Sequence, residues 1–317
     1  MKQTIENVWL YSNAQASLAA ATEAALEVAK SHGALLTLVT VVEAPDEPFL
    51  RTPLGQEMMK LIREDKQQLL RALTEDARRK LPQDRVANVL LEGEVAWHTL
   101  TSHAVRHSPD LVIVPADGGA SSGPFGTLSQ HLFRKCPAPV WSVQAMTNRS
   151  PKRALVAVSS GMDGSDERLL SQEVLRVALG LAAHTGMELH LADAWNLLGE
   201  NLISSKLGAK GTQPYLDLQK QFVQDFTEEL LEQSGGKEKL AAVHYPKGEP
   251  GKIIPMLAEE IDADLVILGS GARRGLEGFF IGSVAETILS RLGRSALVVK
   301  RPGFISPVQA RSLSSGH

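Results

Sequence analysis

The residues with the clearest chemical potential run from Gly269 to Val284, Gly-Ser-Gly-Ala-Arg-Arg-Gly-Leu-Glu-Gly-Phe-Phe-Ile-Gly-Ser-Val. Glycines at a strand-to-helix turn let backbone N–H groups point at an anion, and a helix start adds the positive end of its dipole. Ser283 contributes a hydroxyl donor, and Arg273 and Arg274 contribute charge that persists at any working pH. As chemistry this is a phosphate cradle. As plain architecture it is a connection whose glycines only serve a tight turn. The standard nucleotide fingerprints are missing. G-x-x-x-x-G-K-[ST] occurs nowhere, and Gly269, Gly271 and Gly275 miss the dinucleotide spacing by one residue.

Other groups have weaker claims. His98, His103 and His107 follow Gly93, and His103 and His107 are four apart, so one helix face would offer both to a metal. His107 shares the helical stripe of Leu100 and Ala104, however, and few carboxylates lie nearby to complete a site, so no metal is expected. Asp163, Asp166 and Glu167 follow an apolar strand. They would suit Mg²⁺ beside a nucleotide, or Asp163 a base edge, but capping of the next helix by Ser165 or Asp166 is the plainer expectation. Cys136 follows Arg134 and Lys135, two cations that would activate a thiol; a small buried residue ahead of a strand is expected instead. No residue set forms a catalytic constellation, and the chain reads as non-enzymatic.

These groups must be positioned by repeated strand–helix units, because the chain contains itself twice. DLVIVPADGG from Asp110 is echoed by DLVILGSGARRG from Asp264, and the glycine before the last helix appears as Gly126-Thr127 and as Gly282-Ser283. The offset is 153 between Gly33 and Gly186, 155 between Gly93 and Gly248, and 156 between Gly126 and Gly282, the drift of a duplication with small loop changes. The domains are placed at 1–147 and 151–303, with a tail at 304–317 that reads as disordered. In each half five short, nearly continuous apolar runs alternate with amphipathic stretches such as Glu57–Leu81 and Pro214–Gln233. That pattern suits strands buried on both faces of a parallel sheet, with ligands at their carboxyl ends. Leu197–Tyr215, with Leu198, Leu202, Ile203 and Leu207, reads as a long loop over those ends, able to admit an apolar ligand or to pack its leucines on a neighbour.

Composition narrows the classes. The 317 residues carry 33 Lys+Arg against 36 Asp+Glu, a net charge of −3, which disfavours a nucleic-acid binder. One cysteine rules out a disulfide framework and fits a reducing compartment. The longest apolar run, Ala34–Val42, is far short of the roughly 18 residues that span a bilayer, and the first residues carry no signal-peptide pattern; a cytoplasmic protein is expected.

A duplicated five-strand α/β unit with a glycine loop before its last helix resembles the tandem universal stress proteins. HLFRKCPAPVWSVQ from His131 and VVKRPGFISPV from Val298 are similar to the universal stress protein E branch. The resemblance implies two Rossmann-like (adenine nucleotide alpha hydrolase-like) domains forming an intramolecular pseudo-dimer, with Pro139–Gln144 pairing Ser295–Lys300. It also implies a stress-response role. Nucleotide-binding members carry G-x2-G-x9-G-[ST]. Gly269, Gly282 and Ser283 match, Ala272 replaces the second glycine, and the first half departs further with Pro115, Gly118 and a shorter run to Gly126 and Thr127. The aspartate those members place after the first strand is replaced by Ser159 in the second half, and by Ser12 or Asn13 in the first. The implied ligand is ATP or AMP, with Mg²⁺, in the second half: Gly269, Ala272, Arg273, Gly282, Ser283 and Val284 at the phosphates, Ser159 and Ala194 by base and ribose. The alternative is a scaffold or carrier without nucleotide that holds an apolar ligand or a partner protein. A further homodimer is compatible with either.

Overall fold

The computed structural model describes residues 4–13, 16–118, 123–145, 151–160, 165–271 and 281–309. The first half runs β1 (Asn7–Tyr11), α1 (Leu18–His32), β2 (Leu35–Glu43), α2 (Pro53–Lys80), β3 (Val86–Gly93), α3 (Ala96–His107), β4 (Leu111–Pro115), α4 (Gly126–Lys135), β5 (Val140–Val143). The second repeats it as β6 (Arg153–Val158), α5 (Ser165–Thr185), β7 (Glu188–Asp193), α6 (Glu200–Ser234), β8 (Leu240–His244), α7 (Pro250–Glu260), β9 (Leu265–Ser270), α8 (Ser283–Arg291), β10 (Ser295–Lys300).

Local chemistry accounts for these elements. The alanine-rich α1 combines high helix propensity with side chains small enough for the helix to lie close to the sheet, and Ala20, Ala21, Ala24, Ala25 and Ala29 are buried. It stops at Gly33, whose left-handed backbone (φ 63°) turns its N–H onto the carbonyls of Ala29 and Lys30; Gly186 (φ 68°) follows α5 at the same offset. Thr52 caps α2 by accepting from the Gly55 N–H at 3.1 Å, and Pro53 fills the first helical position, where no N–H is needed. The repeated aspartate ahead of β4 and β9 has one job in both halves. Asp110 Oδ2 accepts from the Glu6 and Asn7 N–H groups (2.8 and 2.9 Å), and Asp264 Oδ2 from those of Lys152 and Arg153 (2.8 and 3.1 Å). Each carboxylate ties the start of its half's first strand with charge-assisted bonds.

The strands form one ten-stranded sheet, ordered β3-β2-β1-β4-β5-β10-β9-β6-β7-β8, rather than two separate ones. Every pairing is parallel except the central one, where β5 and β10 run antiparallel with Leu297 opposite Trp141. The expected pairing of the two last strands is therefore present, and it covers an edge that each half would otherwise expose. Both faces are apolar. One buries the alanines of α1 with Leu175, Ala178 and Leu179 of α5; the other buries Leu100, Leu132, Ile254 and Ile288 from α3, α4, α7 and α8. Across the junction α1 packs on α5, and Arg134 of α4 meets Glu286 of α8 at 3.2 Å.

Two expectations need correction. Leu197–Tyr215 is not a long loop: α6 begins at Glu200 and bends at Gly208 (φ 66°, ψ 177°). Gly208 is itself non-helical and separates a short first helical stretch from the longer one that follows, with Pro214 inside the latter. The tail is also ordered as far as Gln309. Ser306 is buried and its Oγ donates to the Lys135 carbonyl at 2.8 Å; residues 310–317 lie outside the described residues.

Candidate functional site

In the second half the chain leaves β6 toward β7 on one side and later returns to β9 on the other, so the crevice between the carboxyl ends of β6 and β9 is the topological switch point. Ser159 follows β6 and is exposed; Ala194 follows β7 and is half-buried. Gly282, Ser283 and Val284 open α8 at the mouth of the crevice. Gly282 has φ 104° and ψ 134°, and a Cβ there would collide with the Gly271 carbonyl, so the end of β9 and the start of α8 approach through a position only glycine fits. As N-cap, Gly282 offers no side-chain acceptor to the first-turn N–H groups of α8. Ser283 and Val284 are exposed there. Gly269 serves differently. A Cβ on it would lie 2.6 Å from Leu170 Cγ, so this glycine lets α5 pack onto β9. Ala272, Arg273 and Asp163 lie outside the described residues.

One buried group of this region was missed in the sequence. Asp193 ends β7 with no exposed surface, accepting from the Ser160 N–H and the Thr227 hydroxyl, each at 3.3 Å. Burial pushes its carboxyl up to about 7, against the pull of those hydrogen bonds. The run ELHLAD carried the signal, an acid closing an apolar strand. Beside the end of β9, the buried Lys300 closes β10. Its Nζ donates to Ser270 Oγ at 2.7 Å and to the Phe133 carbonyl of the first half, and burial lowers it to about 7.

The corresponding place in the first half is closed from within. A Cβ on Gly126 (φ 71°) would overlap the Asp117 carboxylate, and one on Gly118 would overlap the Pro124 carbonyl. An acidic side chain of the loop thus lies against the start of α4, where an anion would approach. Ser12 is buried and spends its hydroxyl on Thr40 Oγ1 (2.5 Å) and the Val39 carbonyl.

His103 and His107 stand with ring centroids 4.2 Å apart, and His103 lies 5.1 Å from Trp9. His107 is exposed, contrary to the stripe expectation, because α3 ends there and Leu100 and Ala104 already complete its buried face. His98 points to solvent. Among the described residues no three His, Cys, Asp or Glu side chains gather as metal ligands. Cys136 is buried, and burial pushes its thiol up to about 11, which keeps it protonated despite the neighbouring cations. Asp166 and Glu167 occupy the first turn of α5, favourable for the helix dipole. No helix among the described residues is long and apolar enough to cross a membrane.

Comparison with known proteins agrees with this architecture. A sequence model of the universal stress protein family matches residues 11–144 and 152–300. The chain is 29% identical to Universal stress protein E of Salmonella typhi over 235 residues, covering 70% of this chain and 72% of that protein. It is equally similar to Universal stress protein E of Escherichia coli K12 over 231 residues, with the same coverage. In fold it resembles a functionally unknown protein of Pseudomonas aeruginosa PAO1 (TM-score 0.68, 19% identity, 98% of each chain). It also resembles a universal stress protein of Archaeoglobus fulgidus DSM 4304 (TM-score 0.64, 16% identity, 95% of this chain and 98% of that one). The chain belongs to the universal stress protein family, with two copies of its domain in tandem.

Proposed function

From tandem membership of this family, we propose that the chain is a non-enzymatic cytoplasmic stress-response protein whose second half binds an adenine nucleotide, ATP or AMP, at the β6–β9 crevice. The observation that carries this reading is the start of α8. There Gly282 brings the chain ends together, its N-cap position makes no side-chain cap among the described residues, and Ser283 stands exposed beside the switch point. Backbone N–H groups of that turn, the Ser283 hydroxyl and Arg273 hold the phosphates, with Mg²⁺ neutralising what remains, while Ser159 and Ala194 line the base and ribose side. The first half contributes no second site, since Asp117 lies where phosphate would enter.

Calorimetric titration with ATP, ADP and AMP, with and without Mg²⁺, tests this on the wild type, Ser283→Ala and Ala272→Gly. Binding in the wild type that weakens about tenfold in Ser283→Ala, a loss of about 1.4 kcal/mol, is expected. No binding in wild type or Ala272→Gly at millimolar nucleotide would remove the ligand from the proposal and leave the family standing.

A second reading, a scaffold that engages a partner protein or an apolar ligand, is favoured by α6. Leu198 just before it is 89% exposed, and Leu202 (64%), Leu218 (67%) and Phe222 (48%) follow along the helix. Mass spectrometry of an organic extract of the purified protein addresses the carrier form of this reading; an extract free of lipid would count against it.

A further inference from the structure

The junction of the two halves carries a pair of related hollows of unequal size. One has a volume of about 290 Å³ and lies at the amino ends of β1, β4 and β5, walled on the other side by α5 and Leu297. The other has about 10 Å³ and lies against α1 and Trp141. Internal symmetry relates them. Leu297 and Trp141 face each other across the central pairing, and Gly180 and Leu181 in the large hollow stand 153 residues after Glu27 and Val28 in the small one. The size difference therefore has an identifiable origin. Trp141 and Glu27 fill on one side what Leu297 and Gly180 leave open on the other. Charge is distributed as unevenly as volume. Glu173 and Arg176 line the large cavity, whereas the residues 153 positions earlier are Ala20 and Glu23, and Glu23 is engaged by Lys80 on the surface.

We propose that the larger cavity is a binding site for a small organic monocation, a primary amine carrying an apolar body. Its volume stands at the lower end of the range for small-molecule sites, roughly 300 Å³, and suits a molecule with a single ring. The cavity holds two carboxylates, Asp110 and Glu173, against one guanidinium, Arg176, a formal lining charge of −1. The guanidinium is already engaged: Nε and Nη2 both donate to Glu173, at 2.8 and 2.6 Å, and Asp110 also acts on it electrostatically. An incoming anion would face two carboxylates with the guanidinium fork taken. A monocation restores neutrality and pairs with acids held in place, Glu173 by Arg176 and Asp110 by the Glu6 and Asn7 N–H groups. Val177, Leu297 and Pro139 supply apolar wall for the rest of the molecule.

This inference does not depend on the nucleotide reading, since the cavity is lined by α5 and the amino ends of first-half strands and shares no lining residue with the β6–β9 crevice. Calorimetric and thermal-shift titrations of the full chain with 2-phenylethylamine, phenylacetate and 2-phenylethanol test it, because the three probes share a ring and differ in charge. The amine is expected to bind, with the acid and the alcohol at least about tenfold weaker, a gap of about 1.4 kcal/mol. Leu297→Trp, which copies the residue that fills the small hollow, is expected to abolish amine binding. Glu173→Gln, conservative in shape, is expected to weaken the amine and erase its advantage over the alcohol, with the circular dichroism spectrum of each variant confirming its fold. Equal binding of the three probes, amine binding that survives in a folded Leu297→Trp or is unchanged in Glu173→Gln, or no response to any probe at millimolar concentration would overturn the assignment.

Discussion

At the level of single residues, ionising a carboxyl with no exposed surface is costly, and Asp193 carries that cost at the end of β7. Its ordinary value is 3.8 and its folded value about 7, so the folded protein binds this proton more tightly than the unfolded chain does. The resulting stabilisation is complete below the unfolded value and is lost as pH rises through about 7. Asp193→Asn keeps an acceptor for the Ser160 N–H and cannot ionise. The variant should be no more stable than wild type near pH 4 and should overtake it by several degrees of Tm above pH 7, at about 2–4 °C per kcal/mol. A Tm difference that does not change across that range would show that the carboxyl is not so shifted. The sequence displayed this acid but not its burial, which depends on Thr227 of α6 and Ser160 after β6. Gly282 and Ser283 were legible from their place before a helix. Gly269, from the same motif, turned out to accommodate Leu170, a contact between residues about a hundred positions apart.

Among the elements, the last strand of each half, Pro139–Gln144 and Ser295–Lys300, was readable to within a residue because it is a short apolar run whose ends are marked by polar or turn residues. The first part of α6 was not. Its leucines point outward, so it lacks the amphipathic period that identifies a helix, and Gly208 and Pro214 signal a break. Gly208 holds φ 66° and ψ 177°, a region essentially closed to residues with a Cβ. Gly208→Ala should cost about 1–3 kcal/mol, lowering Tm and speeding amide hydrogen exchange in Glu200–Leu207 ahead of the rest of α6. Unchanged exchange there would mean the bend relaxes at no cost.

For the whole molecule, the antiparallel β5–β10 pair makes two halves into one sheet, and each half supplies the strand that covers the other's edge. Residues 151–303 produced alone would present β10 uncovered. They should form a dimer or larger species by light scattering, and adding residues 1–147 should convert them to a one-to-one complex. A stable monomer of 151–303 that ignores the first half would refute this account of the junction. The same pairing explains why the halves have diverged. With the central contact internal to the chain, the symmetry of a homodimer is no longer imposed. Trp141 can then oppose Leu297, and Asp117 can lie against the start of α4 in the first half.

The sequence by itself determined the duplication, the alternation of strand and helix, the family and the position of the glycine–serine turn, because all of these are written in local period, composition and spacing. Only the tertiary structure decided the environment of Asp193, the buried Lys300, the packing role of Gly269 and the cavity opened by Leu297 and Gly180. Each of these arises where side chains from distant elements meet away from water, and a linear pattern specifies neither that proximity nor the loss of solvent that changes their chemistry.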